Sequence, residues 1–244
     1  VDQMAVIFPF EVELYEKANA PVRFTGHPLV DEINPDKTTQ QAREVLNLAD
    51  KTTIGLFPGS RLNEIERLLP ILIKTAHLLR KTKPDLQYVL PIASSLHRDD
   101  LAPFEQALNE LNVSMIENNT HDVIQACDCI IVASGTATLE IGLMKKPMVI
   151  FHKLAALSYF IIRSLVHLPH VGLVNIVPGK EVVKEFLQYD ATPEKISQET
   201  LRILDDKNYN QKMRDELAKL RKLLGTGGGS KNVAALAFEM LTGN

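Results

Sequence analysis

A chain of 244 residues, 45% hydrophobic and 23% charged, can bury a core without disulfide or metal staples and has the composition of an ordinary globular protein. Its net charge of -3 leaves no basic excess to displace counterions, which argues against general nucleic-acid binding. Cys127 and Cys129 lie two apart in one apolar run, on one face of a strand and unsuited to a mutual disulfide, and no further Cys or His stands nearby at ligand spacing. They read as buried, reduced thiols in a cytosolic protein, with no metal and no cofactor.

The chain opens on Val1 with neither an initiator methionine nor a signal-peptide pattern, so its first residues read as the last strand of a preceding N-terminal domain. Residues 4–8 are a short apolar run stopped by Pro9, and 11–18 a short helix. Residues 22–24 form another brief strand. Gly26-His27-Pro28 and Asn34-Pro35-Asp36 are turn signals that mark an interdomain linker, with His27 as a hinge-region contact and a small helix over 40–46. From residue 53 strand and helix alternate: strands at 54–57, 87–92, 114–117, 129–133 and 147–151, with helices at 63–81, 101–109, 120–126 and 137–144. Ile65, Leu68, Leu72, Ala76 and Leu79 give the first of these helices one apolar face. Unbroken apolar strands separated by helices predict an α/β fold, a parallel sheet of Rossmann-like type covered on both faces. The remainder reads as helical, over 193–204, 209–224 and after Ser230. The Gly225–Gly229 run follows no strand and so reads as a helix–helix turn, with Ser230 as N-cap.

Ligands of such sheets bind where loops leave the carboxyl ends of strands. Two loops there carry chemistry. Gly59-Ser60-Arg61 offers a sharp turn, a hydroxyl and a permanent planar cation, suited to a leaving diphosphate; it is also what a tight turn with a solvated arginine looks like. Ser134-Gly135-Thr136-Ala137 would expose backbone N–H groups at a helix N-terminus, which welcomes phosphate. Glu140, one turn on, could take two ribose hydroxyls or could simply be an acid in a first helical turn. Neither the dinucleotide nor the P-loop glycine pattern occurs. Residues 154–162 are apolar apart from Ser158 and Tyr159. They are too few to span a bilayer and read either as an interfacial patch or as a buried helix.

Gly26-His27-Pro28, Leu56 to Arg61 with Glu64, Ser134 to Glu140, Lys146-Pro147-Met148-Val149 and the stretch 179–188 occur together and in this order in lipid-A-disaccharide synthases, which the chain resembles over essentially its whole length. His152 stands where that family commonly has tyrosine, and Val174 where it has proline. The resemblance implies the GT-B architecture: residues 1–24 as the tail of an N-terminal acceptor domain, 25–50 as linker, 51–190 as the UDP-sugar-binding domain, and 191–244 as helices packing back towards the N-terminal domain. It also implies an inverting, metal-independent transfer of diacylglucosamine from UDP-diacylglucosamine to diacylglucosamine 1-phosphate, with UDP released, and a peripheral place on the cytoplasmic side of the inner membrane. A homodimer is a further expectation. By the same resemblance Arg61 is catalytic, stabilising the diphosphate. Gly59, Ser60, Ser134, Gly135, Thr136, Ala137, Glu140 and Asn175 bind the donor, and the base that takes the acceptor's proton lies in the N-terminal domain. Another GT-B enzyme acting on a UDP-N-acetylglucosamine substrate and a non-catalytic nucleotide-binding module are the competing readings.

Overall fold

The computed structural model describes residues 1–153 and 170–242; the apolar stretch 154–162 lies outside them. Strands β1 (Met4–Val6) and β2 (Val22–Phe24) pair in parallel, Met4 opposite Val22, across helix α1 (Pro9–Lys17). Pro9 does more than stop the first strand. It takes the first position of α1, where a missing N–H costs nothing.

Residues 25–50, expected as a linker, are not loose chain. They hold helices α2 (Leu29–Glu32) and α3 (Thr39–Val45), and α3 is pinned to the sheet unit by two buried cations. The Arg43 guanidinium donates to the Ala126 carbonyl at 3.1 Å and to Asp128 at 2.6 Å. The Lys146 ammonium donates to Thr39 Oγ1 at 2.9 Å and to the Gln125 and Cys127 carbonyls. Burial lowers the Lys146 pKa to about 8, so the tie is charged at neutral pH.

The main sheet contains β3 (Thr53–Phe57), β4 (Gln87–Ile92), β5 (Val113–Glu117), β6 (Cys129–Ala133), β7 (Met148–His152) and β8 (Glu185–Leu187), all parallel, in the order β5-β4-β3-β6-β7-β8. All five residues of β3 and of β6 are buried, as strands covered by helices on both faces must be. Helix α4 (Leu62–Thr82) lays Ile65, Leu68, Leu72, Ala76 and Leu79 into the core, the face its spacing predicts; each leucine so buried contributes about 2 kcal/mol. Cys127 and Cys129 are fully buried and free, and burial pushes both thiols far above their ordinary pKa.

Several elements depart from the sequence reading, three helices among them. The helix expected at 101–109 is α5 (Glu105–Glu110), preceded by a 3-10 segment Arg98–Phe104. Pro103 has no N–H to join an α ladder. The helix expected at 209–224 breaks after α-helical Lys207–Ala218 and resumes as Leu220–Leu223. The last helix, Gly229–Thr242, is not capped by Ser230. Asp31, far away in sequence, accepts from the Gly228 N–H at 2.8 Å and the Gly229 N–H at 3.2 Å.

The glycine run is a helix–helix turn, with Gly225, Gly227 and Gly228 at φ values of +112, +94 and +75°. It lies against Gly26: a Cβ on Gly229 would come 2.7 Å from the Gly26 carbonyl oxygen. Beside it the His27 N–H donates to the Leu224 carbonyl at 2.9 Å, and the His27 ring packs on Phe8. Gly229→Ala is therefore expected to lower stability by about 1–3 kcal/mol, roughly 2–10 °C in Tm for a chain of this size. Gly135→Ala, whose Cβ would meet nothing within 4 Å, should change stability by less than about 0.5 kcal/mol. Thermal unfolding of the two variants checks this.

Candidate functional site

Relative to β3 as first strand, the sheet order reverses between β3 and β6, which is where an open α/β sheet leaves a crevice. These two strands are direct neighbours, Phe57 opposite Val132, so the turns that leave them start side by side. Both line one cleft of about 540 Å³ together with Glu64, Ser94, Thr120, His121 and Glu140. The structure thus brings together Gly59, Ser60, Arg61, Ser134, Gly135, Thr136, Ala137 and Glu140.

In the first turn Gly59 adopts φ +114°, a left-handed backbone that favours glycine. Arg61 immediately precedes α4, and its side chain is 79% exposed, with Nη1 3.7 Å from Glu64 Oε1. The Ser95 hydroxyl donates to the Ser60 carbonyl at 2.7 Å, tying this turn to the end of β4.

The second turn feeds helix α7 (Ala137–Leu143), after α6 (Thr120–Ala126) in the chain. Ser134 is committed within the protein: its N–H donates to the Phe151 carbonyl at 3.1 Å and its hydroxyl to the Val171 carbonyl at 3.3 Å. The Gly135 carbonyl accepts from both the backbone and the hydroxyl of Thr138. Among the described residues the N–H groups of Gly135, Thr136 and Ala137 have no acceptor, and they point out of a helix N-terminus, where the field favours an anion. Glu140 is one turn further, 22% exposed, with Oε2 3.6 Å from His121 Nε2.

Asn175 is the one expected site residue that is not in the cleft. It is fully buried, and its amide is saturated. Nδ2 donates to the Val183 carbonyl and to Glu185, and Oδ1 accepts from the Val182 and Val183 N–H groups. It braces β8, a structural task that leaves it no donor or acceptor for a ligand. Conversely, Thr120 lines the cleft without having been singled out for it, and so does His121, a lone histidine of the kind that is more often structural. Their position at the carboxyl end of β5 was the available signal. A further cavity of about 550 Å³ shares Ser94, Thr120 and His121 with the cleft and runs under Asn118 and Asp36. Among the described residues no group of three or more His, Cys, Asp or Glu could hold a metal ion.

At the end of β7, His152 Nδ1 is buried with no hydrogen-bond partner among the described residues. Its pKa is lowered, first by burial; Glu64 works against this and Arg67 with it.

Residues 1–237 match the family model for lipid-A-disaccharide synthetase. The chain is 46% identical over 242 residues to lipid-A-disaccharide synthase from Geobacter sulfurreducens, covering 99% of this chain and 63% of that protein. With the synthase from Nitrosococcus oceani it is 41% identical, covering 100% of this chain and 62% of that protein. It therefore spans a little under two thirds of the length of these relatives. Among solved structures, UDP-GlcNAc 2-epimerase from Neisseria meningitidis bound to UDP-GlcNAc is similar at a TM-score of 0.63 and 16% identity, over 100% of this chain and 62% of that one. The C-terminal domain of a glycosyl transferase group 1 family protein from Francisella tularensis reaches 0.54 at 16% identity, over 79% of this chain and 95% of that domain. At such identities these likenesses show a shared fold.

His152 and the buried His27, also held below its ordinary pKa by burial, make stability depend on pH. Unfolded, each takes up a proton as pH falls through about 6.5; folded, each does so only at lower pH. The unfolded state binds more protons in that window, so stability present above it is lost below it. In His152→Phe, the urea midpoint should fall less between about pH 7 and pH 5 than in the parent. An equal fall would remove His152 from the account.

Proposed function

The chain belongs to the lipid-A-disaccharide synthetase family, and from that premise we propose that it supplies the donor-nucleotide half of an inverting glycosyltransferase. The full protein passes diacylglucosamine from UDP-diacylglucosamine to diacylglucosamine 1-phosphate and releases UDP. The observation that carries this reading is the convergence on one cleft of an exposed guanidinium, three N–H groups with no acceptor among the described residues, and a carboxylate one helical turn away.

The division of labour follows from chemistry. As the sugar–phosphate bond breaks, negative charge grows on the diphosphate. Arg61 meets it with fixed donors, and Gly135, Thr136 and Ala137 meet it with amides that need no reorganisation. Glu140 accepts from the ribose hydroxyls, with His121 beside it. The nucleobase extends towards the adjoining cavity under Asn118. Ser60 offers its hydroxyl at the mouth of the cleft, and Ser134 shapes the second turn through its bonds to Phe151 and Val171.

The acceptor is held, and its proton removed, by the part of the protein beyond this sequence. Two paired strands of three residues are too little for a stable sheet. We read residues 1–24 as joining that other domain, 25–50 as the connection, 51–190 as the donor domain and the helices of 191–244 as packing back. No described helix is long and apolar enough to cross a membrane; acylated substrates would bring the protein to the surface of the inner membrane.

Arg61→Ala in the full-length protein should weaken UDP binding at least about tenfold, the loss of a charge-assisted contact, and reduce transfer further. Calorimetry with UDP and a transfer assay comparing acylated with unacylated UDP-glucosamine measure both. Unchanged affinity and unchanged turnover would take Arg61 out of the site. Equal use of the unacylated donor would overturn the lipid substrate.

A further inference from the structure

Arginine is an unusual residue to place just before a helix. Its side chain carries only donors, so it cannot accept from the orphan N–H groups of the first turn as Ser, Thr, Asp or Asn would. In this protein Glu64, three positions into α4, instead reaches back to the N–H groups that precede the helix. Its Oε2 accepts from the Ser60 N–H at 2.9 Å and from the Arg61 N–H at 3.3 Å. Gly59 is shaped around the same oxygen: a Cβ there would lie 2.3 Å from Glu64 Oε2. The turn is thus built to admit a carboxylate from within.

We infer that Glu64 is a positioning residue for the donor's diphosphate, an internal anion that fills the Ser60 and Arg61 amides and fixes the backbone from which Arg61 reaches the cleft. This rests on the donor-site reading above and refines it. The first turn then gives the ligand only side chains, the guanidinium and the Ser60 hydroxyl, while the backbone donors come from Gly135 to Ala137. The arrangement separates two roles of one carboxylate. Oε2 is held by two amides, but Oε1 is 3.7 Å from a guanidinium that is 79% exposed. Such an exposed pair is worth little, so Arg61 can leave Glu64 for a phosphate while the turn stays intact. A carboxylate in the first turn of α4 is also favoured by the helix field.

The test is a double-mutant cycle on UDP affinity, by calorimetry with the full-length protein at a temperature where melting curves show each variant folded. Glu64→Ala should weaken UDP binding about five- to tenfold. Glu64→Gln, whose amide oxygen can accept from the same two N–H groups, should recover binding to within about threefold. With Arg61→Ala already present, Glu64→Ala should add less than about twofold, because the residue acts through Arg61. The inference is overturned if Glu64→Ala binds UDP as tightly as the parent or more tightly. It is equally overturned if the loss is the same with and without Arg61, or if Glu64→Gln is as weak as Glu64→Ala. A merely structural cap would lower Tm and leave the cycle additive. Should UDP bind the parent and Arg61→Ala equally well, the donor-site reading itself fails, an outcome distinct from these.

Discussion

Backbone pairing between β3 and β6, from Ile54 opposite Cys129 to Phe57 opposite Val132, is the constraint from which the site follows. Neighbouring strands in a sheet are about 4.8 Å apart, so two turns leaving them in the same direction cannot help facing one space. Parallel pairing makes both exits carboxyl ends, and the reversal of strand order sends the following helices, α4 and α7, to opposite faces. The crevice between them is a property of the topology, and the side chains only decide what it holds.

What it holds is arranged by commitment elsewhere. The Ser134 hydroxyl, the Gly135 carbonyl and the Thr138 hydroxyl are used inside the protein, while the N–H groups of Gly135, Thr136 and Ala137 have no acceptor among the described residues. At Ser60 and Arg61 it is the amides that are filled, by Glu64, while the Arg61 side chain is 79% exposed. Glu64 is held by two amides, and Glu140 has His121 Nε2 3.6 Å from its Oε2. Asn175 carries the same lesson at a distance. Four hydrogen bonds to residues 182–185 make it a brace for the edge strand β8, and the bond from Ser134 to Val171 connects that brace back to the second turn.

The sheet and both turns were legible in the sequence because their signals are local. Continuous apolar runs mark strands covered on both faces, and Gly-Ser-Arg or Ser-Gly-Thr after such a run marks an exit. What escaped was set by contacts distant in sequence or by partial exposure. Strand β8 is half-buried throughout, as an edge strand is, and Glu185-Phe186-Leu187 has no apolar continuity. Asp31 caps a helix nearly two hundred residues away, which no window can see. Glu64 was visible as part of a motif, but its task depends on the φ of Gly59. Asn175 was expected in the site by resemblance, whereas its saturation is a matter of three-dimensional packing.

The clasp between residues 25–31 and 224–229 has a mechanical consequence. Residues 25–31 touch 224–229 through His27 and Leu224, Gly26 and Gly229, and Asp31 and Gly228. Further out, Asn232 donates to the Thr25 carbonyl and Arg23 pairs with Glu239. The segment that precedes the sheet unit and the last described helix are thus held side by side, so that displacing either one means breaking contacts that join both.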